Sequence, residues 1–251
     1  PFYRANFSSC SNGTNERGVF GGGGQAFDVA YDIIDYITIN STGNSSDFGD
    51  LTVNRADLTA TSNATNERGI FGGGIDSPNV NRNTIDYVTI SSTGNAVNFG
   101  ELTVARRLLS ACSSSTRGIF GGGYNPNSNV IEYITISSTG NGIDFGDLTL
   151  ARFGLGSCSN SIRGLFGAGY SFPSNYNIID YITIASLGDA QDFGDLLFTS
   201  VYTTACSSST RGVWGNGSPL TNTINYVTIS TTGNAQDFGD LLFASYARSA
   251  C

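Results

Sequence analysis

The stretch RGIFGGGYNPNSNVIEYITISSTGNGIDFGDLTLARFGLGSC, residues 117–158, decides the fold, because the chain repeats it. Its opening Arg-Gly recurs at Arg17, Arg68, Arg117, Arg163 and Arg211, so successive copies lie 51, 49, 46 and 48 residues apart. Its Phe-Gly recurs at Phe48, Phe99, Phe145, Phe193 and Phe238. A period in this range means one supersecondary unit per copy, stacked on its neighbours because it cannot bury its own faces alone. The units run 4–54, 55–105, 106–151, 152–199 and 200–243 of a single repeat domain, 1–251. Residues 244–251 start a further unit or supply a ring-closing strand.

Each unit reads as four short strands. The first is Arg-x5-Cys, residues 106–112 or 152–158. The second is Gly-Ile-Phe-Gly with its glycine cluster, the third 130–136, and the fourth is centred on 145–150. β-branched and aromatic residues bounded by Gly, Asn, Ser and Pro are strand signals, and no segment keeps a helical period. In the third strand, Ile178-Ile179-Asp180-Tyr181-Ile182-Thr183-Ile184, apolar residues fall on both faces. Each sheet is therefore covered on both sides. The radially stacked blades of a β-propeller meet that condition, and so does a linear stack of sheets. The expected fold is all-β, a β-propeller of about five four-stranded blades.

The connections differ. Between third and fourth strands the turn is nearly constant, as in Ser92-Thr93-Gly94-Asn95 and Ser138-Thr139-Gly140-Asn141, with glycine expected at positive φ in a tight hairpin. Between second and third strands the loops vary: 25–32, 75–84, 124–129, 170–177 and 218–223. In an up-and-down blade these two sets emerge on opposite faces. The variable loops carry Phe27, Tyr31, Tyr124, Tyr170, Phe172 and Tyr176, the candidate partner-binding residues. Aromatic side chains on a rigid scaffold offer large contact area with few rotamers to freeze.

Composition excludes several function classes. The net charge is -8, and all 12 basic residues are arginine. So acidic a chain has no electrostatic footprint for nucleic acid or an anionic membrane. No apolar run approaches the ~20 residues that span a bilayer, so membrane insertion is not expected. The start, PFYRANFSSC, lacks the pattern of a signal peptide. Without methionine the chain reads as a processed product or a segment of something longer. Histidine is absent, which removes the Ser-His-Asp triad, the usual catalytic zinc sites and most general bases. No enzymatic activity, cofactor or metal is expected.

The remaining motifs favour structural readings. Phe120-Gly121-Gly122-Gly123 is followed by no Gly-Lys-Ser/Thr, so it is no phosphate loop. Asp144-Phe145-Gly146 recurs at Asp47, Asp192 and Asp237 and lacks the other kinase signatures. The carboxylate pairs Asp47/Asp50, Asp144/Asp147, Asp192/Asp195 and Asp237/Asp240 match no calcium loop, and turn capping is expected of them. Arg17, Arg68, Arg117 and Arg163 are assigned ion pairs with Asp35, Asp86, Glu132 and Asp180, Asn225 standing in the acidic position opposite Arg211. Cys10, Cys112, Cys158, Cys206 and Cys251 share one repeat position, filled by Thr61 in the second unit. They read as small buried residues and leave the redox compartment undetermined. The sequons at Asn6, Asn12, Asn40, Asn44 and Asn63 read as chance matches in an Asn/Ser/Thr-rich chain.

Two resemblances follow from these motifs. Leu-Thr-x-Ala-Arg-x5-Cys, then Leu-Phe-Gly-Ala-Gly-Tyr and Ile179-Asp180-Tyr181, resembles the kelch repeat over nearly the whole chain. It departs in carrying Phe-Gly where kelch repeats usually have Trp in the last strand. The fuller pattern, TRGIFGGG, IDYITISSTGN, DFGDLT, is similar to repeats in large virion structural proteins of marine bacteriophages. That similarity implies a virion appendage, fibre or decoration protein contacting other virion subunits or a host-surface glycan or protein, with an oligomer allowed. A secreted or cell-surface kelch-like binding propeller is the alternative. A galactose-oxidase-like propeller is disfavoured, because that family's copper ligands include histidine.

Overall fold

The computed structural model describes residues 4–11, 16–25, 29–63, 68–215 and 217–244. It is all-β, with no helix among the described residues, and forms a five-bladed β-propeller. Blade 1 is β1 (Ser8–Ser11), β2 (Arg17–Gly21), β3 (Ile33–Thr38) and β4 (Ser46–Asp50). Blade 2 is β5 (Thr59–Ser62), β6 (Arg68–Gly72), β7 (Thr84–Thr89) and β8 (Val97–Glu101). Blade 3 is β9 (Ser110–Ser113), β10 (Arg117–Gly121), β11 (Val130–Thr135) and β12 (Ile143–Asp147). Blade 4 is β13 (Gly156–Ser159), β14 (Arg163–Gly167), β16 (Ser174–Thr183) and β17 (Gln191–Ser200), with the short β15 (Tyr170–Ser171) hairpinned onto β16. Blade 5 is β18 (Thr204–Ser207), β19 (Arg211–Gly215), β20 (Thr223–Thr228) and β21 (Gln236–Asp240).

Every blade is an antiparallel meander. The first strands surround a central channel lined by small side chains such as Ser9, Ala60, Ala111, Ser157 and Ala205. The strand expected over Arg-x5-Cys is shorter than the motif, because Asn6, Asp57, Leu108, Gly154 and Tyr202 take a positive φ just before it. Each of the last four donates its amide to the carbonyl of its equivalent in the preceding blade, at 2.8–3.0 Å. The arginine therefore lies in the connection, not in the strand.

The repeated Phe-Gly is explained by a β-bulge. Ile34 pairs with Gly49 and Asp35 with Asp47, which leaves Phe48 as the extra residue. Such a residue is turned out of the ladder, and Phe48, Phe99, Phe145 and Phe193 are buried between neighbouring blades. The following glycine faces the next blade's main chain. A Cβ on Gly100 would stand 2.3 Å from the Gly140 carbonyl oxygen.

The constant Ser-Thr-Gly-Asn segment is not a tight hairpin turn. The tight turn lies just before it, closed where the Ser41, Ser92 and Ser138 amides donate to the Thr38, Thr89 and Thr135 carbonyls. Glycine has the expected positive φ at Gly94, Gly188 and Gly233 but not at Gly43 or Gly140, and from blade 2 onward the segment itself reaches back to the preceding blade. Gly94 and Ala96 donate to the carbonyls of Phe48 and Asp50, both at 2.7 Å, while Asn95 Oδ1 accepts the Asp50 amide. The same contacts recur at Gly140, Gly188 and Gly233. Its constancy is that of an interface.

The cysteine position is where one blade's first strand meets a glycine of the next. A Cβ on Gly69, Gly164 or Gly212 would lie 2.6–2.8 Å from the sulfur of Cys10, Cys112 or Cys158. These three cysteines are buried and form no disulfide; Cys206 is exposed, and Cys251 lies outside the described residues. Burial in apolar surroundings pushes the Cys112 thiol up to about 12 and raises Cys158 as well.

The carboxylate pairs stand on the outer strands. Asp237 accepts the Gly239 amide, as capping requires, but Asp47, Asp144 and Asp192 form no such bond. Asn63, in one of the sequons, is fully buried and donates to the Ser115 carbonyl.

Candidate binding surface

The β2–β3 loops and their counterparts share one face with the connections that lead from each fourth strand to the next first strand. Isolated bridges tie the two sets together: Ala56 with Ile75, Arg107 with Tyr124, Phe153 with Tyr170, Val201 with Ser218. The variable face thus has two layers, of which sequence reasoning named only one.

A buried arginine pins the segment that leads into the first strand of each of the first four blades. Arg55, Arg106 and Arg152 are fully buried, and Arg4 nearly so. Their guanidinium groups pair with Asp86, Glu132, Asp180 and Asp35 respectively. Arg106 sits 2.7 Å from Glu132 and also donates to the Gly122 and Val130 carbonyls. Burial lowers the pKa of all four guanidinium groups, and the facing carboxylate offsets part of that. Thr52, Thr103 and Thr149 donate to the same acids from the incoming connection, Thr103 through its amide. The Leu-Thr-x-x-Arg pattern and the acid of the third strand are therefore one polar hub. In blade 5 it becomes Ser200 and Asn225, both halves replaced together.

This corrects the ion pairs expected from sequence. Arg17, Arg68, Arg117 and Arg163 do not pair with those acids. Arg17 lies opposite Thr38 at one end of the ladder, while Asp35 lies opposite Phe20 near the other. Their guanidinium groups stack on Tyr36, Tyr87, Tyr133 and Tyr181, 4.5–4.8 Å from the ring centres. Each also donates to a carbonyl of the next blade: Ile90, Ile136, Ile184 or Ile229, at 2.8–3.0 Å.

On this frame the face carries a row of aromatic side chains. Phe153 contacts Tyr124 of blade 3 at 5.0 Å, Tyr170 of its own blade at 5.4 Å and Tyr202 of blade 5 at 6.3 Å, between ring centres. Arg107 stacks on Tyr124 and lies 3.5 Å from Asp57. At the tip of the β15–β16 hairpin, between the paired Ser171 and Ser174, Phe172 is 83% exposed.

The candidate residues are placed unevenly. Tyr124 and Tyr170 are joined through Phe153, with Phe172 at the neighbouring tip. Tyr176 is half-buried in β16, opposite Ser200. Tyr31 belongs to blade 1, its hydroxyl 3.3 Å from Gln25 Oε1, away from the row. Phe27 lies outside the described residues. Phe153 and Tyr202 were missed. Their signal was variation within an otherwise repeated connection: Ala5, Ala56, Arg107, Phe153, Val201 after the arginine position, then Asn6, Asp57, Leu108, Gly154, Tyr202.

At the channel mouth on this face, Asn6, Asp57, Leu108, Gly154 and Tyr202 surround a cavity of about 60 Å³. That is far below the ~300 Å³ of an ordinary small-molecule site. At this mouth the geometry suits contact with a surface rather than enclosure of a ligand. Among the described residues no three His, Cys, Asp or Glu side chains gather as a metal site, and no helix is long and apolar enough to cross a membrane. No protein-family model matches the chain, and no curated protein does.

Proposed function

We propose that this chain is a non-enzymatic, kelch-like binding propeller that serves as a structural or adhesive part of a virion, in an appendage, fibre or decoration. Its partner is a host-surface glycan or protein, or another virion subunit, engaged by the variable face. The observation that carries the reading is the aromatic row Tyr124–Phe153–Tyr170–Tyr202 with Phe172 beside it. Tyr124 and Phe172 are exposed and Phe153, Tyr170 and Tyr202 half-buried beside them, and aromatic residues held in this way on a rigid scaffold supply interface anchors at low entropic cost. The virion assignment is supported by the repeat resemblance.

The test has two arms. Mass spectrometry of purified virions should find the protein; its presence only in cell-surface or secreted fractions would favour the cellular alternative. Binding of the full chain to whole host cells should weaken about 30-fold or more in a Tyr170→Ala/Phe172→Ala/Tyr176→Ala variant that stays folded. Phe172→Ala alone should weaken binding without disturbing the row. Unchanged binding by both variants, with loss on altering Ser138-Thr139-Gly140-Asn141, would move the partner to the opposite face.

A further inference from the structure

Among the described residues the five blades make four packed interfaces, not five. Apolar clusters join blades 1 and 2, 2 and 3, 3 and 4, and 4 and 5. At the step from blade 5 to blade 1 every equivalent contact is missing among the described residues. Phe238 is 53% exposed, whereas its four counterparts are 2–3% exposed. Ile39 is 44% exposed, against 0–2% for Ile90, Ile136, Ile184 and Ile229. A Cβ on Gly239 would meet nothing within 4 Å, whereas on Gly49, Gly100, Gly146 or Gly194 it would strike the next blade's main chain. A Cβ on Gly215 would meet only Leu241 of its own blade, where Gly21, Gly72, Gly121 and Gly167 each face an aromatic ring of the next. Arg211 stacks on Tyr226 but donates to no neighbouring carbonyl.

We infer that this seam is a docking site for one further four-stranded blade of the same repeat. The occupant is identified by the other four interfaces, where the same surface is covered each time by such a blade. Toward blade 5 the blade presents an aromatic ring, an Ile and a Thr-Gly-Asn segment. Toward blade 1 it presents a Phe-Gly bulge and a small residue at the cysteine position. The chain itself carries part of this pattern. LLFASYARSAC, 241–251, repeats LLFTSVYTTAC, 196–206, the connection and first strand of blade 5. The inference is independent of the partner assigned to the variable face.

The experiment compares the full chain with a version extended after Cys251 by a copy of residues 207–244, which completes a sixth unit. In the first four blades the amide equivalent to Asp240 is held by the next blade's Asn or Asp, as Asp50 is by Asn95. Docking should therefore slow hydrogen exchange at Asp240 by ~tenfold or more. The thermal midpoint should rise by roughly 5 °C. Phe238→Asp should abolish both gains in the extended chain and change the unextended chain little. If that extension does not fold, a copy of residues 159–199 provides a second blade. Unchanged exchange at Asp240 with both extensions overturns the proposal. So does protection already present in the unextended chain: a second copy is then the occupant if protection grows with concentration and sedimentation shows a dimer, and blade 1 is if it does not.

Discussion

Arg152 and Asp180 show how much one buried pair decides. Arg152 holds the connection that carries Phe153, through Asp180 at 3.0 Å and the carbonyls of Phe166 and Ala168. Removing one partner leaves a buried charge uncompensated, at a cost of about 3–5 kcal/mol. Blade 5 has dispensed with both halves, as Ser200 and Asn225. Arg152→Ser and Asp180→Asn should each lower stability by that order, and the double variant by clearly less than their sum, read from denaturant midpoints. The thiols give a pH test. Cys112 has its pKa raised from 9.0 to about 12 by burial, so the unfolded chain ionises first as pH rises. Its contribution is intact below pH 9 and lost between about 9 and 12, at up to ~1.4 kcal/mol per pH unit. Cys112→Thr, the residue that unit 2 carries at Thr61, should remove that share of the alkaline slope. A slope identical to wild type would show that the thiol titrates alike in the folded and unfolded chain.

At the scale of the element, the Phe-Gly bulge joins strand pairing to blade packing. Gly100 combines a φ of +154° with the Gly140 carbonyl at its side, so Gly100→Ala should cost roughly 2 kcal/mol or more. Gly239 has a similar φ, +133°, but no neighbour, and Gly239→Ala should cost about 1 kcal/mol. Equal losses in thermal denaturation would mean that backbone conformation, not the neighbouring blade, sets the requirement. The β15–β16 hairpin is the opposite case. Phe172 at its tip touches little, so Phe172→Ala should leave the thermal midpoint within about 1 °C while weakening binding. Four strands per unit could be read from the β-branched runs and their glycine punctuation. The reaching-back of Ser-Thr-Gly-Asn could not, since a constant turn and a constant interface leave the same pattern in one sequence.

For the whole molecule, repeat units held by neighbour interfaces have a stability close to a sum over those interfaces. Among the described residues, blades 2, 3 and 4 each have two packed faces, and blades 1 and 5 have one. Native-state hydrogen exchange should therefore protect β6, β10 and β14 more than β2 and β19, by an order of magnitude or more. Uniform protection would mean that the seam is filled in solution.

The sequence by itself determined the unit, its copy number, its four strands and the covering of each sheet on both sides. These are local properties: periodicity, β-branched runs and glycine positions report on backbone and burial within about fifty residues. Only the tertiary structure decided which acid each arginine meets, because Asp35, Asp86, Glu132 and Asp180 were within reach of either arginine series until strand register placed them. It alone brought Phe153 and Tyr202 beside Tyr124 and Tyr170, since connections from different units converge on one face. It alone left Phe238 and Ile39 uncovered, although both sit in copies of motifs buried everywhere else. Burial of a repeat residue depends on the neighbour that stacks on it, and a neighbour is a property of the assembled ring.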